Sequence, residues 1–214
     1  MSVFPQSLEA MLQSIRWLGH AGFLLMGKRL AYIDPYKLDY PEVGDIILMT
    51  HDHDDHCSPD DVKWLRKGET VIVAPGSCAS KFKGDVRTVK AGDTVTHKGL
   101  KVEVVPAYNI GKEFHPKEAG GVGYVVTTAE GIRIYHAGDT DLIPEMQQIS
   151  ADVALLPVGG KYTMDASEAA QAANLIKPRL AIPMHWGTLV GSRQDAEKFR
   201  ELCQVQVSIL KPQP

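Results

Sequence analysis

Cysteine is scarce in this chain of 214 residues, and the three present, Cys57, Cys78 and Cys203, are widely spaced and odd in number. That pattern excludes a small disulfide-scaffolded module and fits reduced thiols in a cytoplasmic protein. Long apolar runs are missing as well, and none approaches the roughly 20 residues that a membrane span needs. The opening stretch M-S-V-F-P-Q-S-L-E-A has no charged region followed by an apolar one, so no secretory leader is expected. Nor does charge of one sign dominate: 23 basic against 26 acidic residues leave a net charge of -3, with no long basic run. Nucleic-acid binding therefore has no electrostatic support in the composition. No tether or low-complexity segment divides the chain. With 44% hydrophobic residues it is expected to bury one core, as a single domain over 1–214.

What the sequence has in abundance is concentrated at Thr50 to His56, T-H-D-H-D-D-H, with three histidines and three aspartates in seven residues. The apolar run Asp45-Ile46-Ile47-Leu48-Met49 before it reads as a strand, which puts His51 at or just past a strand end. Imidazole and carboxylate are the usual nitrogen and oxygen ligands of zinc and other divalent metals. His51 and His53 suit a chelating pair, while Asp55 and His56 face another way off a tight turn and suit a second ion. Cys57 adjoins the cluster, as a packed small residue or a further ligand.

In chain order, Ile15 to Met26 reads as two strand pieces about G-H-A-G, with His20 exposed at the break, and Arg29 to Ile33 as a further strand that Asp34-Pro35 ends. Ser58-Pro59-Asp60-Asp61 is a helix start, with serine as cap, proline at the first position and acids in the first turn. Val62, Trp64 and Leu65 supply that helix with an apolar face, and Gly68 closes it. A strand over Thr70 to Ala74 and a short helix over Cys78 to Phe82 follow. Val86 to Pro106 has the short alternating runs of an antiparallel meander, with His97 in a surface turn.

Ala107 to Gly121 is a long polar loop, of the kind more often functional than accidental, and His115 is its one histidine. A second hairpin runs from Val122 to His136 and leads into Gly138-Asp139-Thr140. A strand over Asp152 to Pro157, a helix capped by Asp165 and running through Ile176, and a short strand over Leu180 to Pro183 that delivers His185 come next. A helix over Gln194 to Leu202 and a strand over Val205 to Leu210 complete the chain. The texture, hairpins followed by β-α-β and given twice, predicts an α/β fold of two sheets with helices packed outside them.

His51, Asp139 and His185 each follow an apolar strand-like run. Groups at strand ends collect along one edge of such a sheet, where sites tend to lie. His51, His53, Asp55, His56, Asp139 and His185 are expected to converge there, with His115 brought in by its loop. That donor set matches two adjacent metal ions with one carboxylate between them. Two such ions share and acidify a water, so hydrolysis is the natural output. His20 is either a packed residue or a site residue, and His136 either supports the ligands from behind or is structural, and is not a ligand.

These motifs resemble the metallo-β-lactamase superfamily. T-H-D-H-D-D-H is similar to its H-x-H-x-D-H signature, Asp34 in Y-I-D-P to its first-motif aspartate, Gly138-Asp139-Thr140 to its bridging-aspartate motif, and His185 in P-M-H-W to its last histidine motif. W-L-G-H-A-G-F, Y-H-A-G-D-T and I-P-M-H-W-G-T look like the small metal-dependent hydrolase branch related to ascorbate-6-phosphate lactonase and N-acyl-phosphatidylethanolamine phospholipase D. The resemblance implies a four-layer αβ/βα sandwich holding two divalent ions, zinc typically and manganese in some lactonases. It implies His51 and His53 as ligands of the first ion, Asp55, His56 and His185 of the second, and Asp139 as the bridge.

The family's third histidine of the first site follows a P-A-x-H strand end. This chain has Pro106-Ala107-Tyr108-Asn109 there, and His115 is the substitute, with His20 as an extra ligand or substrate contact. The implied chemistry is a metal-bound hydroxide, hydrogen-bonded to Asp55, that attacks a lactone, ester or phosphodiester of a small molecule. Nuclease members of the superfamily carry basic or clamping segments that this chain lacks. Oxygen-handling members that need a flavin partner replace histidines such as His53 and His56 with carboxylates. The motifs do not encode the oligomeric state; metal-rich cytoplasmic hydrolases of this size often self-associate, which leaves a homo-oligomer open.

Overall fold

A computed structural model describes residues 7–39 and 41–213. The leader expectation falls largely on residues 1–6, outside the described residues. Two six-stranded sheets face each other. The first runs in sequence order through β1 (Ile15–Gly19), β2 (Gly22–Met26), β3 (Leu30–Ile33), β4 (Ile46–Leu48), β5 (Val71–Ala74) and β6 (Val86–Thr88). The second contains β7 (Thr94–His97), β8 (Leu100–Pro106), β9 (Val122–Thr127), β10 (Arg133–His136), β11 (Val153–Pro157) and β12 (Leu180–Met184), again neighbour to neighbour. Each sheet starts antiparallel and ends parallel, from β3 onward in the first and from β10 onward in the second. The repeated texture of the sequence is this change of direction, made twice.

The helices α1 (Leu8–Gln13), α2 (Pro59–Leu65), α3 (Gly76–Ala79), α4 (Ala166–Ile176) and α5 (Arg193–Leu202) lie outside the sheets. Continuous apolar strands such as β4 and β5 are explained by burial on both faces. Ile46, Leu48, Val71 and Val73 point into the core between the sheets, where they join Val102, Val104, Tyr124 and Ile134. Ile47, Met49, Ile72 and Ala74 point the other way, against Val62 and Leu65 of α2 and Cys78 of α3. Among the described residues no helix is long and apolar enough to cross a membrane.

Several local expectations are corrected. The run Val86–Thr88 does not join the meander. It pairs parallel with β5, Ile72 opposite Val86, because the chain crosses to the second sheet only after Thr88. Trp64 is 67% exposed, since in a seven-residue helix only Val62 and Leu65, three apart, share the inward face. That helix ends at Leu65, with Arg66 already extended, before Gly68 is reached. The helix expected over Cys78 to Phe82 forms at Gly76–Ala79 instead. Val205 to Leu210 forms no named strand, only an isolated bridge between Val207 and Ala181.

The reduced-thiol expectation is overturned too. Cys57 and Cys78 are joined in a disulfide, and Cys203 is the free thiol. Cys57 lies past the end of β4 and Cys78 past the end of the adjacent parallel strand β5, so strand pairing brings together two residues that are 21 apart in sequence. Closing a loop of that length stabilises a fold by about 3 kcal/mol in the chain-entropy account. Cys78→Ser is therefore expected to lower the urea unfolding free energy by about that amount. Equal unfolding midpoints for the natural protein with and without reductant would show that the bridge does not form.

Candidate metal centre

The ligand-type side chains gather at one edge of the sandwich, past the C-terminal ends of the parallel strands. Strand β3 delivers Asp34, β4 delivers Thr50 to His56, β10 leads to Asp139, and β12 leads to His185. His20 comes from the turn between β1 and β2, and its carbonyl accepts hydrogen bonds from the His185 amide at 2.8 Å and the Trp17 indole at 3.0 Å. This ties the edges of the two sheets together at the site.

Strain is concentrated in the same place. Among the described residues, His20, Asp34, His115 and His185 are four of the seven non-glycine residues with positive φ, at 50°, 45°, 57° and 59°. Such backbone persists only where surrounding contacts over-determine it.

Two groups form. His51, His53 and His115 bring their ring nitrogens together, with His51 Nε2 3.2 Å and His115 Nε2 3.0 Å from His53 Nδ1. Asp55, His56 and His185 form the other group, and His20 stands with them, its Nε2 2.9 Å from Asp55 Oδ2. Asp139 lies between the groups. Its Oδ2 is 3.1 Å from His185 Nε2 and 3.6 Å from His115 Nε2, and its Oδ1 is 3.5 Å from His56 Nε2.

His115 thus stands beside His51 and His53, where the sequence reading put it, while His20 lies on the opposite side and not in that group. Asn109 does not join either group. Its side-chain amide donates to the carbonyls of Tyr162 at 2.6 Å and Phe114 at 2.9 Å, and its backbone amide to the His115 carbonyl at 2.7 Å, so it pins the loop that carries His115. His136 is structural, its Nε2 bonded to the Ala21 carbonyl at 2.8 Å.

The outer hydrogen bonds determine which ring nitrogen faces inward. Asp34, fully buried, accepts from the Thr50 amide at 2.8 Å, the Thr50 hydroxyl at 2.6 Å and His56 Nδ1 at 2.7 Å. Having donated its proton, the Thr50 hydroxyl is left to accept from His51 Nδ1 at 3.0 Å. His115 Nδ1 likewise faces the Tyr162 carbonyl at 3.3 Å. In each ring Nε2 is the nitrogen turned toward the cluster, as in metal sites where a second partner orients the ligand. Asp34 is the hub that the sequence reading recognised only as a motif residue. Asp34→Asn, which replaces one acceptor by a donor, is expected to weaken metal binding about 10- to 100-fold. Competition with a chromogenic chelator measures this, and unchanged affinity would show that the orienting bonds do not matter.

The donors fit a cation. Among the described residues of the site, His20 Nδ1, His56 Nε2, Asp139 Oδ1 and His185 Nδ1 are buried with no hydrogen-bond partner. Unmet polar atoms so deep in a protein are costly unless something else satisfies them. Electrostatics point the same way. Burial alone would lower the His56 pKa, but Asp139, Asp34 and Asp55 outweigh it and raise it to about 9, which makes a positive charge favourable at that spot. Burial would raise Asp55, yet the His20 hydrogen bond and the neighbouring His56 hold it at about 2. Burial and the adjacent His56 push His51 well below its ordinary value, as suits a neutral ligand.

Sequence and structure comparisons agree with this geometry. Residues 14–185 match the family described as the beta-lactamase superfamily domain. A UPF0173 metal-dependent hydrolase from Thermoplasma acidophilum is 36% identical over 204 residues, covering 88% of this chain and 89% of that protein. One from Methanopyrus kandleri is 37% identical over 224 residues, covering 92% and 96%. A crystal structure from Parabacteroides distasonis, of a protein proposed to be a metal-dependent hydrolase, superposes with a TM-score of 0.83 at 33% identity over 93% of both chains. The two-sheet sandwich, the histidine and aspartate groups at its edge and these relatives together make this chain a metal-dependent hydrolase of the metallo-β-lactamase superfamily.

Proposed function

We propose that the protein hydrolyses a small lactone, ester or phosphodiester with two divalent ions. Zinc is favoured by the nitrogen-rich donor set, and manganese is the alternative. The observation that carries this reading is Asp139, whose two oxygens reach histidines of both groups. His51, His53 and His115 would hold one ion, Asp55, His56 and His185 the other, and Asp139 both. When bound, the ions polarise the scissile carbonyl or phosphoryl oxygen and bring the pKa of bound water toward neutrality.

The chain's own groups do the rest. His20, buried behind Asp55, fixes the orientation of that carboxylate through the Nε2 to Oδ2 bond. Asp55 stays ionised at neutral pH, so it accepts a hydrogen bond from the attacking water and aligns it, and the proton passes on to the leaving oxygen. The cavity above these groups, about 460 Å³, suits a small molecule.

The test pairs elemental mass spectrometry of the purified protein with a hydrolysis screen of lactones, esters and phosphodiesters. About two ions per chain and turnover that a chelator removes are expected. A chain that retains no metal after dialysis against zinc would overturn the reading.

A further inference from the structure

We infer that, within this hydrolytic reading, the substrate is an uncharged ester or lactone with an apolar group beside its carbonyl, and not a phosphodiester. The inference rests on the wall of the cavity over the two groups. Among the described residues that line it there are four carboxylates, Asp52, Asp54, Asp55 and Asp139, and no lysine or arginine. Two divalent cations would carry no more positive charge than those four carboxylates carry negative charge, and Lys81, 3.9 Å from Asp54, faces the outermost of them. Sites that bind and cleave phosphates offset the substrate's charge with arginine or lysine clamps or with metal ions that keep a positive excess.

The lysines next to the lining residues already have partners. Lys81 donates to the Asp52 carbonyl at 2.6 Å and lies 3.9 Å from the Asp54 carboxylate. Lys112 donates to the Thr163 carbonyl at 2.8 Å and pairs with Asp141. Lys161 sits over the Tyr162 ring, 4.8 Å from its centroid. An anionic substrate would thus meet acidic groups with no lysine or arginine among the described lining residues to offset its charge.

The rest of the wall is apolar and built to be so. Phe114 and Leu189 leave 42% and 55% of their surface exposed and, with Val190, line the same cavity, which groups them at one binding surface. Phe114 is held edge-on by Tyr162, ring centroids 5.1 Å apart, and its centroid is 6.1 Å from that of His53. Val190 is fixed by its carbonyl, which accepts from the Gly187 amide at 3.1 Å, and by Gly159, where a Cβ would come within 2.9 Å of it. An apolar substituent a few ångströms from the reacting carbonyl fills this wall.

In the reaction the water oxygen bonds to the carbonyl carbon, and the bond to the ester oxygen breaks with its electron pair on that oxygen. A proton of the water goes there, giving an alcohol and a carboxylate and releasing one proton. A lactone gives a single hydroxy acid.

The zinc-loaded protein should be assayed with phenyl butyrate, with monophenyl succinate, which has the same ester but an acyl chain ending in a carboxylate, and with bis(4-nitrophenyl) phosphate. Phenyl butyrate is expected to exceed monophenyl succinate at least about tenfold in kcat/KM. It is also expected to show the larger rate enhancement over the zinc-only background when set against the phosphodiester. Phe114→Ala should raise the KM for phenyl butyrate about tenfold while leaving the zinc content unchanged.

Equal or reversed preference in either comparison overturns the substrate assignment while leaving the hydrolytic reading intact. Absence of turnover with all three overturns the hydrolytic reading for these substrates. Charge preference is then read by calorimetric titration of the zinc-loaded protein with butyranilide and with succinanilic acid. Tighter binding of butyranilide supports the assignment, and equal or tighter binding of succinanilic acid overturns it.

Discussion

Asp139→Ala is expected to lower metal-dependent turnover by about three orders of magnitude or more while the fold persists. The Asp139 carboxylate reaches histidines of both clusters, and without it no carboxylate would stand between the rings left behind. Two divalent ions held by the two groups would repel each other, and a carboxylate within reach of both groups would offset that repulsion. Without it the remaining residues would hold at least one ion less. The fold should survive because, among the described residues, the groups that face the Asp139 carboxylate are the site histidines His56, His115 and His185. Circular dichroism and metal analysis of the variant accompany the assay. Turnover within tenfold of the natural protein would show that the two groups act independently of Asp139.

Gly159→Ala is the second large effect, and it acts from behind the site. A Cβ at position 159 would come within 2.6 Å of the His185 carbonyl oxygen, 3.2 Å of its Nδ1 and 2.9 Å of Val190 Cγ2. Backbone cannot yield as a flexible side chain does, so the strand end carrying His185 must shift. His185 is already held at positive φ by its amide bond to the His20 carbonyl, which leaves little freedom to absorb the displacement. Displacement by about 1 Å at a reacting centre costs on the order of a hundredfold in rate. Overpacking of this kind also destabilises by about 1–3 kcal/mol. The expected result is a lower melting temperature together with a loss of kcat and of zinc affinity. A variant with natural zinc affinity and kcat would show that the position tolerates a side chain and that His185 is not held from this direction.

Both predictions turn on residues whose roles were unequally legible. Asp139 was readable because G-D-T follows an apolar run, and any side chain just past a strand end lies on the edge where such sites collect. The tight cluster from His51 to His56 was readable for the same reason: its ligands are neighbours in sequence, so one turn is enough to spread them. His115 was reached through its loop, and the structure does place it beside His51 and His53. Gly159 gave no signal, because its importance is the absence of a side chain next to a strand two elements away. Asp34 stood out as a motif residue, but its position as acceptor for Thr50 and His56 depends on the pairing of β3 with β4. The disulfide was misread for a related cause, since cysteine count and spacing carry no information on which strand ends are adjacent.

The sequence by itself determined the class of fold, the donor chemistry and the local arms of the site. Periodicity, caps and ligand spacing are short-range properties, and each is decided within a few residues. Tertiary structure alone decided which arms meet. It placed Asp139 between the two groups, turned Nε2 of His51, His56 and His115 inward through Asp34, Thr50 and the Tyr162 carbonyl, and put Phe114, Leu189 and Val190 on one wall of a cavity without lysine or arginine. Contacts between residues far apart in the chain form only when the two sheets close on each other. The T-H-D-H-D-D-H stretch alone therefore carries the ligands but not the geometry that makes them a site.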